Sequence, residues 1–207
     1  MTPLDAAVIR ALAATKLIGQ DVLVVEETGS TNDLLFEITN TSTPEGLVVF
    51  AEAQTAGRGQ RGNRWSSAAR LGLWFSVLLR PRLALSDTAR LTSWLAETVA
   101  ATNRKQFAVD ATVKRPNDVY VGTSKIAGVL VEMRAVAGAS HIAIAGIGIN
   151  VNQRATDFPE ELRGRATSLA ILLDAELDRN ELAAALLRDL DRDYLDLFSS
   201  SSERPAR

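Results

Sequence analysis

The sequence predicts an α+β fold in which helices pack on a mixed, largely antiparallel β-sheet. Helical and extended patterns alternate through the first half of the chain, and three strands joined by short turns form a meander after Pro116. No Pro/Gly-rich linker divides the 207 residues, which are enough for one sizeable core. We therefore predict one domain over residues 1–198, followed by a flexible tail over 199–207.

In the first half of the chain, apolar periodicity and capping residues place each element. Leu4, Val8 and Leu12 fall roughly on one helical face, which predicts an amphipathic helix at the start. Later, hydroxyl and carboxylate side chains can cap two helices, and β-branched or apolar runs indicate strands. In chain order the predictions are a helix over 4–18, a strand over 22–25, a helix from Ser30 or Thr31 to about Thr39, a turn over 41–46, strands over 47–53 and 71–79, and a helix after Ser86 or Asp87.

In the second half, short strands separated by glycine-containing turns predict the meander. Pro116 cannot donate to a strand ladder, so it ends the extended segment before it. Further on, Leu182, Leu186 and Leu190 recur at helical spacing. The predictions are an extended segment over 108–114, strands over 119–121, 126–136 and 141–150, turns over 122–124 and 137–139, and a helix over 180–198.

The composition excludes several kinds of chemistry. There is no cysteine and one histidine, so disulfide scaffolds, thiolate zinc sites, iron–sulfur clusters, cysteine nucleophiles and multi-histidine metal sites are all excluded. Lysine, arginine, carboxylate, hydroxyl and backbone amide groups remain, and these suit charged oxyanions such as phosphates. The net charge of -2 argues against a protein that coats nucleic acid.

No segment predicts secretion or a membrane span. Asp5 and Arg10 interrupt the first apolar segment, and no small-residue cleavage pattern follows an apolar run. In the longest stretch without Asp, Glu, Lys or Arg, residues 135–153, only 142–149 is continuously apolar or glycine, which is strand length. We predict a cytoplasmic protein with no membrane association.

The segment 54–65 carries the sharpest chemical signal, because it is rich in both glycine and arginine. From residue 53 to 86 there are six arginines and no acid. Glycine lets backbone N–H groups approach an anion and arginine supplies fixed charge, so an anion site is predicted, with a solvated basic loop as the alternative. Gly57, Gly59 and Gly62 also match a dinucleotide-binding spacing, but the loop leads into a strand rather than a helix, which argues against that fold.

Two lysines stand at opposite ends of a short excursion that returns by a turn. Lys114 follows one predicted strand and Lys125 begins another, eleven positions later, so the two side chains can converge on one ligand. Asp118 lies between them, where its carboxylate can hold Mg²⁺ or orient a lysine. For either lysine alone, an exposed charge at a strand end is the simpler interpretation.

Gly146 and Gly148 alternate within a predicted strand. Glycine weakens a strand interior, so the pair indicates that a ligand or another backbone lies against that face. Tight strand packing is the alternative.

Taken together and in order, these segments closely resemble the catalytic domain of the biotin protein ligases, the biotin-[acetyl-CoA-carboxylase] ligases, over residues 24 to about 170. The resemblance implies a class II synthetase-like fold, the catalytic fold of biotin and lipoate ligases. The matching motifs are S-T-N at 30–32, Q-T-A-G-R-G at 54–59, K-R-P-N-D at 114–118, K-x-A-G-x-L-x-E at 125–132, G-x-G-I-N at 146–150 and A-T-S-L at 166–169.

The resemblance also implies an activity and a role for each matching residue. Such enzymes use ATP to activate biotin as biotinyl-5′-AMP and then transfer biotin to a lysine of a biotin carrier protein. The implied catalytic residues are Lys125, Arg58 and Lys114. The implied biotin-binding residues are Ser30, Thr31, Asn32, Gln54, Gly57, Arg58 and Gly128. The implied nucleotide-binding residues are Arg58, Arg61, Trp65, Lys114, Asn117 and Asn150, with Asp118 beside Mg²⁺.

The implied partners are biotin, MgATP and the biotin carrier domain of a biotin-dependent carboxylase. DNA binding is not expected, because residues 2–19 hold one helix rather than a winged helix, and no C-terminal SH3-like barrel is expected. A monomer and a homodimer both stay open. The alternatives are a lipoate or octanoate ligase or transferase of the same fold, or a catalytically weak biotin- or adenylate-binding paralogue.

Two positions depart from the family pattern. Arg115 stands where the box normally has tryptophan, and Gln60 stands where many members have a second loop arginine. We expect the loop from Thr55 to Trp65 to become ordered when an anion arrives, because its unpaired arginines repel one another.

Overall fold

A single seven-stranded sheet organises the computed structural model, which describes residues 2–135 and 141–199. Its strand order is β1-β2-β3-β7-β6-β5-β4, with β1 and β2 parallel and the other neighbours antiparallel. The predicted α+β class with a mixed, largely antiparallel sheet is therefore confirmed. The strands are β1 (Val22–Thr28), β2 (Val48–Gln54), β3 (Gly72–Leu79), β4 (Ala111–Lys114), β5 (Asp118–Val121), β6 (Ser124–Arg134) and β7 (Ile142–Asn150).

The predicted meander is confirmed and gains a fourth strand, since β4, β5, β6 and β7 are consecutive antiparallel neighbours. β3 pairs with β7 along its whole length and so joins the two halves of the chain. This pairing aligns Trp74 with Gly148, which is aligned in turn with Gly128 on β6. The predicted turn over 137–139 lies outside the described residues.

Helices cover both faces of the sheet. They are α1 (Ala6–Ala13), α2 (Thr31–Ile38), α3 (Thr88–Phe107), α4 (Leu169–Leu173) and α5 (Arg179–Tyr194), and a π-helical turn over Leu195–Ser199 follows α5. Strand side chains alternate between faces, so Phe50 and Phe75 enter the main core with α1, α3 and α5. Val49 and Leu78 point to the other face and pack with Leu35 of α2.

The predicted buried face of the first helix was wrong. Val8 and Leu12 are 43% and 45% exposed, whereas Ile9 and Ala13 are buried. The helix is shorter than predicted, because Ala14 takes a left-handed conformation with φ of 49° and ends it. The helix therefore ends before residue 18, and its buried face contains Ile9 and Ala13, each one residue after the predicted Val8 and Leu12.

Two predicted caps do not form as expected. Ser30 occupies the N-cap of α2 and Asp87 that of α3, but neither side chain makes a capping hydrogen bond. A 3₁₀ turn over Leu85–Asp87 leads directly into α3 and satisfies part of its first turn. The short helix α4 was not predicted, and there the Ser168 hydroxyl does accept the capping bond, from the Ile171 amide.

A buried ion pair fastens the two ends of the described chain to the sheet. Arg179, at the start of α5, donates to Glu52 of β2 at 2.6 Å, and both side chains are at most 2% exposed. Glu52 also accepts from the Leu4 amide, and Arg179 donates to the Thr2 carbonyl. Burial by itself would raise the pKa of Glu52, but these hydrogen bonds and the guanidinium charge outweigh it and lower that pKa.

In the part of the chain that the structure describes, no helix combines the length and apolar character that a membrane span requires.

Candidate active site

A cavity of about 260 Å³ opens on the face of the sheet that α2 covers. Its lining comes from the first turn of α2, the end of β2, the arginine-rich loop, the β4–β5 turn, β6 and β7. All but two of the predicted site residues line it: Ser30, Thr31, Asn32, Gln54, Arg58, Arg61, Trp65, Lys114, Asn117, Asp118, Lys125 and Gly128. Residues from five of the six motifs are therefore brought to one place, and the A-T-S-L motif at 166–169 does not line the cavity.

Uncharged hydrogen-bonding groups form one end of the cavity. The Thr31 amide donates to Gln54 Oε1 at 2.8 Å, and Gln54 Nε2 donates to the Ser67 hydroxyl at 2.8 Å. The Ser76 hydroxyl lies 2.6 Å from Asn32 Oδ1, to which it donates, and 2.7 Å from the Thr31 hydroxyl. This end fixes amide and hydroxyl groups in orientations that suit a polar, uncharged part of a ligand.

Glycines make room for the side chains that cover the cavity floor. A Cβ on Gly148 would lie 2.5 Å from Trp65 Cε2, and one on Gly128 would lie 2.9 Å from Trp65 Cζ3. At Gly146 a Cβ would overlap the Asn32 amide. The alternating glycines of β7 thus mark a close approach, but what approaches in this structure is the side chains of Trp65 and Asn32 and not another backbone, and a ligand on this face stays a prediction.

Cations form the other end of the cavity. Lys125 Nζ lies 2.6 Å from Asp118 Oδ1 and 5.2 Å from the centre of a Trp65 ring. Lys114 Nζ lies 5.1 Å from the Tyr120 ring. The β4–β5 pairing aligns Lys114 with Asp118, which explains why lysines eleven positions apart reach one cavity.

The arginine-rich loop folds back on itself above the cavity. The Gly59 amide donates to the Asn63 carbonyl at 2.7 Å, and the Trp65 amide donates to the Gly57 carbonyl at 2.9 Å. Between these bonds, Gln60–Gly62 forms a 3₁₀ turn in which Arg61 has a left-handed φ of 58°.

The prediction that the loop arginines are unpaired was wrong for Arg58. Its Nη2 atom lies 2.7 Å from Asp33 of α2 and 2.7 Å from Glu132 of β6. No acid is near Arg58 in sequence, but two elements distant along the chain supply one each. Arg61 and Arg64 also line the cavity, and neither is within 4.0 Å of a carboxylate in the described residues.

Two predicted site residues do not reach the cavity lining. Gly57 is buried against the Trp65 backbone and Gln54, where a side chain would collide. Asn150 donates to the Thr167 carbonyl and accepts from Gln153, so its amide is used within the protein. Its predicted contact with a nucleotide therefore finds no support in the cavity geometry.

Sequence reasoning assigned no role to Ser76, Asp33 or Glu132. Ser76 gave a usable signal, because it is the one polar residue in the otherwise apolar strand β3. Glu132 belongs to a quoted motif, but its partners are distant in sequence and only the fold brings them near.

The described residues hold no cluster of three or more histidine, cysteine or acidic side chains that could bind a metal. Asp118 is the carboxylate that lines the cavity, and Lys125 already contacts it. Mg²⁺ is commonly held by one or two carboxylates together with the phosphates of a nucleotide. The site therefore fits a magnesium ion that arrives with its nucleotide.

Comparison with known proteins identifies the family. The model of the biotin/lipoate A/B protein ligase family matches residues 24–150, more than half of the chain. This chain belongs to the biotin/lipoate A/B protein ligase family. The matched span begins within β1 and ends with β7, so it includes residues of all seven strands of this ligase-family domain.

Relatives and solved structures agree with that assignment. The chain is 35% identical to the bifunctional ligase/repressor BirA of Bacillus subtilis, covering 89% of this chain and 57% of that protein. It is 36% identical to the biotin-[acetyl-CoA-carboxylase] ligase of Mycobacterium tuberculosis, covering 81% of this chain and 62% of that protein. The structure of the Aquifex aeolicus biotin protein ligase in complex with biotin and ATP superposes with a TM-score of 0.75 at 32% identity, over 88% of this chain and 73% of that one.

Proposed function

We propose that this chain activates biotin with ATP to form biotinyl-5′-AMP and then transfers biotin to a lysine of a biotin carrier domain. The observation that carries the proposal is the polarity of one cavity, with amides and hydroxyls at one end, lysine cations at the other and arginines on the loop above it. Such a cavity matches a ligand with an uncharged ring system and a carboxylate that must meet a phosphate. The relatives named above are ligases of this kind, although the chain spans only 57% to 62% of the length of those two curated proteins.

In the first step, an oxygen of the biotin carboxylate attacks the α-phosphorus of ATP. The new O–P bond forms as the bond to the bridging oxygen breaks, and pyrophosphate leaves. Negative charge develops on the phosphate oxygens, and preorganised cations stabilise it. We assign that role to Lys125, Lys114 and Arg58; Asp118 would help to hold Mg²⁺, which would supply further positive charge to the phosphates.

We assign the uncharged end of the cavity to biotin and its rim to the nucleotide. Thr31, Asn32 and Gln54 line that end, and their amide and hydroxyl groups, which bond to protein partners in this structure, are of the kind that a ureido ring would bond in their place. Arg61 and Trp65 lie on the loop side, where the adenylate would be covered.

In the second step, the neutral amine of a carrier lysine attacks the carbonyl carbon of biotinyl-5′-AMP. An amide bond forms, the bond between the carbonyl carbon and the phosphate oxygen breaks, and AMP leaves. The amine loses a proton to the solvent. Neither step requires a cysteine or a histidine, in agreement with the composition.

We place the enzyme in the cytoplasm, without DNA binding, as a monomer or homodimer. The lack of cysteine fits a reducing compartment, and the near-neutral net charge is unlike that of DNA-coating proteins.

Exchange of label between pyrophosphate and ATP tests the proposal, with biotin, lipoate or octanoate offered as the acid. We expect exchange with biotin and none with the other two acids. Exchange with lipoate or octanoate in place of biotin would reassign the substrate. Tight biotin binding without exchange would indicate a binding protein instead of an enzyme.

A further inference from the structure

One carboxylate oxygen joins the arginine-rich loop to the cavity floor. Glu132 Oε2 accepts from Arg58 Nη2 at 2.7 Å and from Asn32 Nδ2 at 2.7 Å. Arg58 belongs to the loop and Asn32 to the first turn of α2, which lies on the floor. Asp33, the next residue of the same turn, contacts the same nitrogen of Arg58, also at 2.7 Å, but its carboxylate does not bond to the Asn32 side chain.

The fold holds Glu132 firmly in this position. Alternation along β6 puts Gly128, Leu130 and Glu132 on the face beneath α2, and the first two line the cavity. Two residues further along, the Arg134 guanidinium stacks 3.7 Å from the Phe36 ring of α2. The Glu132 side chain is 29% exposed, so water competes only partly for its hydrogen bonds.

Asn32 is equally constrained. Its Oδ1 accepts from the buried Ser76 hydroxyl at 2.6 Å, and its amide lies directly over Gly146. With Oδ1 committed to Ser76, Nδ2 is oriented toward Glu132 and the Leu130 carbonyl. A movement of Glu132 would therefore displace Asn32 at the cavity floor as well as Arg58 in the loop.

We propose that Glu132 is a positioning residue that couples the arginine-rich loop to the biotin end of the cavity, through Arg58 on one side and Asn32 on the other. Occupation of the floor then favours the loop conformation that places Arg58 at the ligand, and an ordered loop favours binding at the floor. This inference rests on the proposed function for the identity of the ligand. Asp33 provides the contrast, since its carboxylate holds Arg58 but, unlike that of Glu132, does not bond the Asn32 side chain.

The first test uses the protein without ligand. Amide hydrogen exchange is measured for Glu132→Gln, for Asp33→Asn, and for Glu37→Gln as a control one turn along α2 with no ion pair among the described residues. We expect Glu132→Gln to accelerate exchange about tenfold in the loop, at Gly59 and Trp65, and in the first turn of α2, because charge-assisted bonds to both segments weaken. Asp33 lies in that turn itself, so Asp33→Asn measures what loss of the direct contact between α2 and Arg58 does to both segments.

The second test reads coupling from biotin affinity in a double-mutant cycle with Arg58→Ala. In the wild-type background, we expect Glu132→Gln to raise the KM for biotin about tenfold and Asp33→Asn to raise it no more than threefold, with smaller changes in kcat. In the Arg58→Ala background, the effect of Glu132→Gln should fall to threefold or less.

Two results would overturn the positioning role. One is acceleration of exchange by Glu132→Gln in the loop alone, and the other is the same effect on KM in both backgrounds, which a merely structural glutamate would give. If wild-type protein neither bound nor activated biotin, the proposed function would fail, while the exchange experiment would still decide whether Glu132 joins the loop to the floor.

Discussion

Two ion pairs in this molecule have the same distance between nitrogen and oxygen, but one pair is buried and the other is partly exposed. Glu52 and Arg179 meet at 2.6 Å with side chains at most 2% exposed, whereas Asp118 and Lys125 meet at 2.6 Å with side chains 26% exposed. The buried pair is surrounded by further bonds, among them one from Arg179 to the Gly72 carbonyl. The cavity pair faces the space where a ligand would bind. A pair of a carboxylate and a cation therefore stabilises the fold in one region, and in the other it holds a cation that a ligand can reach.

The physical reason for this difference is hydration. A buried pair has lost its water, so each charge depends on the other and on fixed dipoles around it. A partly exposed pair keeps part of its water, and a lysine in such a pair can exchange a carboxylate for a phosphate at little cost. The predictions below test whether the two regions behave in these two ways.

We expect Arg179→Met to cause the largest effect. It leaves Glu52 buried without its counter-charge, and losing one partner of a buried pair costs about 3–5 kcal/mol in the free energy of unfolding. Urea unfolding of the variant and the wild type measures this cost. Lys125→Ala is the matched control and should lose less than about 1 kcal/mol. A similar loss in both variants would contradict the comparison.

We expect Lys125→Ala to have its effect on catalysis instead of stability. Loss of one charged contact to the transition state should cost about 2.7–4 kcal/mol, equivalent to a fall of about a hundred- to a thousandfold in adenylate formation. Biotin-dependent exchange between pyrophosphate and ATP measures the rate. Lys16→Ala, an exposed lysine on the opposite side of the sheet, should leave the rate unchanged. Near-normal exchange in folded Lys125→Ala would remove Lys125 from the mechanism.

The buried pair should also make the free energy of unfolding depend on pH in the acidic range. The pKa of Glu52 is lowered from its ordinary value of 4.5, against the effect of burial, by Arg179 and the Leu4 amide. A pKa that is lower in the folded state gives a contribution that is complete above the unfolded value and is lost as the pH falls through the folded value. The difference in unfolding free energy between the wild type and Glu52→Gln should therefore shrink below a pH of about 4.5. A constant difference from pH 7 to pH 3 would show that Glu52 does not titrate in this way.

The sequence predicted which residues reach the cavity better than it predicted ion-pair partners, because many of those partners are far apart along the chain. Lys114, Asp118 and Lys125 lie on the consecutive strands β4, β5 and β6, which two short turns join, so local geometry brings them together. Glu52 and Arg179 are 127 positions apart, and their pairing depends on how α5 packs against the sheet. No local pattern carries that information.

The same reason explains the error about the loop. The absence of acids from residue 53 to residue 86 suggested arginines that repel one another. Arg58 nevertheless contacts Glu132, 74 positions away in sequence, and Asp33, 25 positions away. The misplaced face of α1 was an error of another kind, because a left-handed residue at Ala14 ended the helix early. Motifs reveal which groups reach a site, whereas the contacts that restrain those groups follow from the tertiary fold.

The smallest expected effect concerns Gln60, which lines the cavity in the 3₁₀ turn beside Arg61. Glutamine can donate a hydrogen bond to a phosphate but carries no charge, whereas arginine can donate two parallel bonds and a fixed charge. The difference between a neutral and a charge-assisted hydrogen bond is about 1 kcal/mol, so Gln60→Arg should release biotinyl-5′-AMP about fivefold more slowly. Free adenylate and off-target lysine labelling are measured for both proteins under matched turnover. Gln20→Arg makes the same change at an exposed position away from the cavity and should have no effect. Equal release by Gln60→Arg and the wild type would mean that loop charge does not hold the adenylate. The adenylate would then be held by Lys114 and Lys125, at the end of the cavity that cations form.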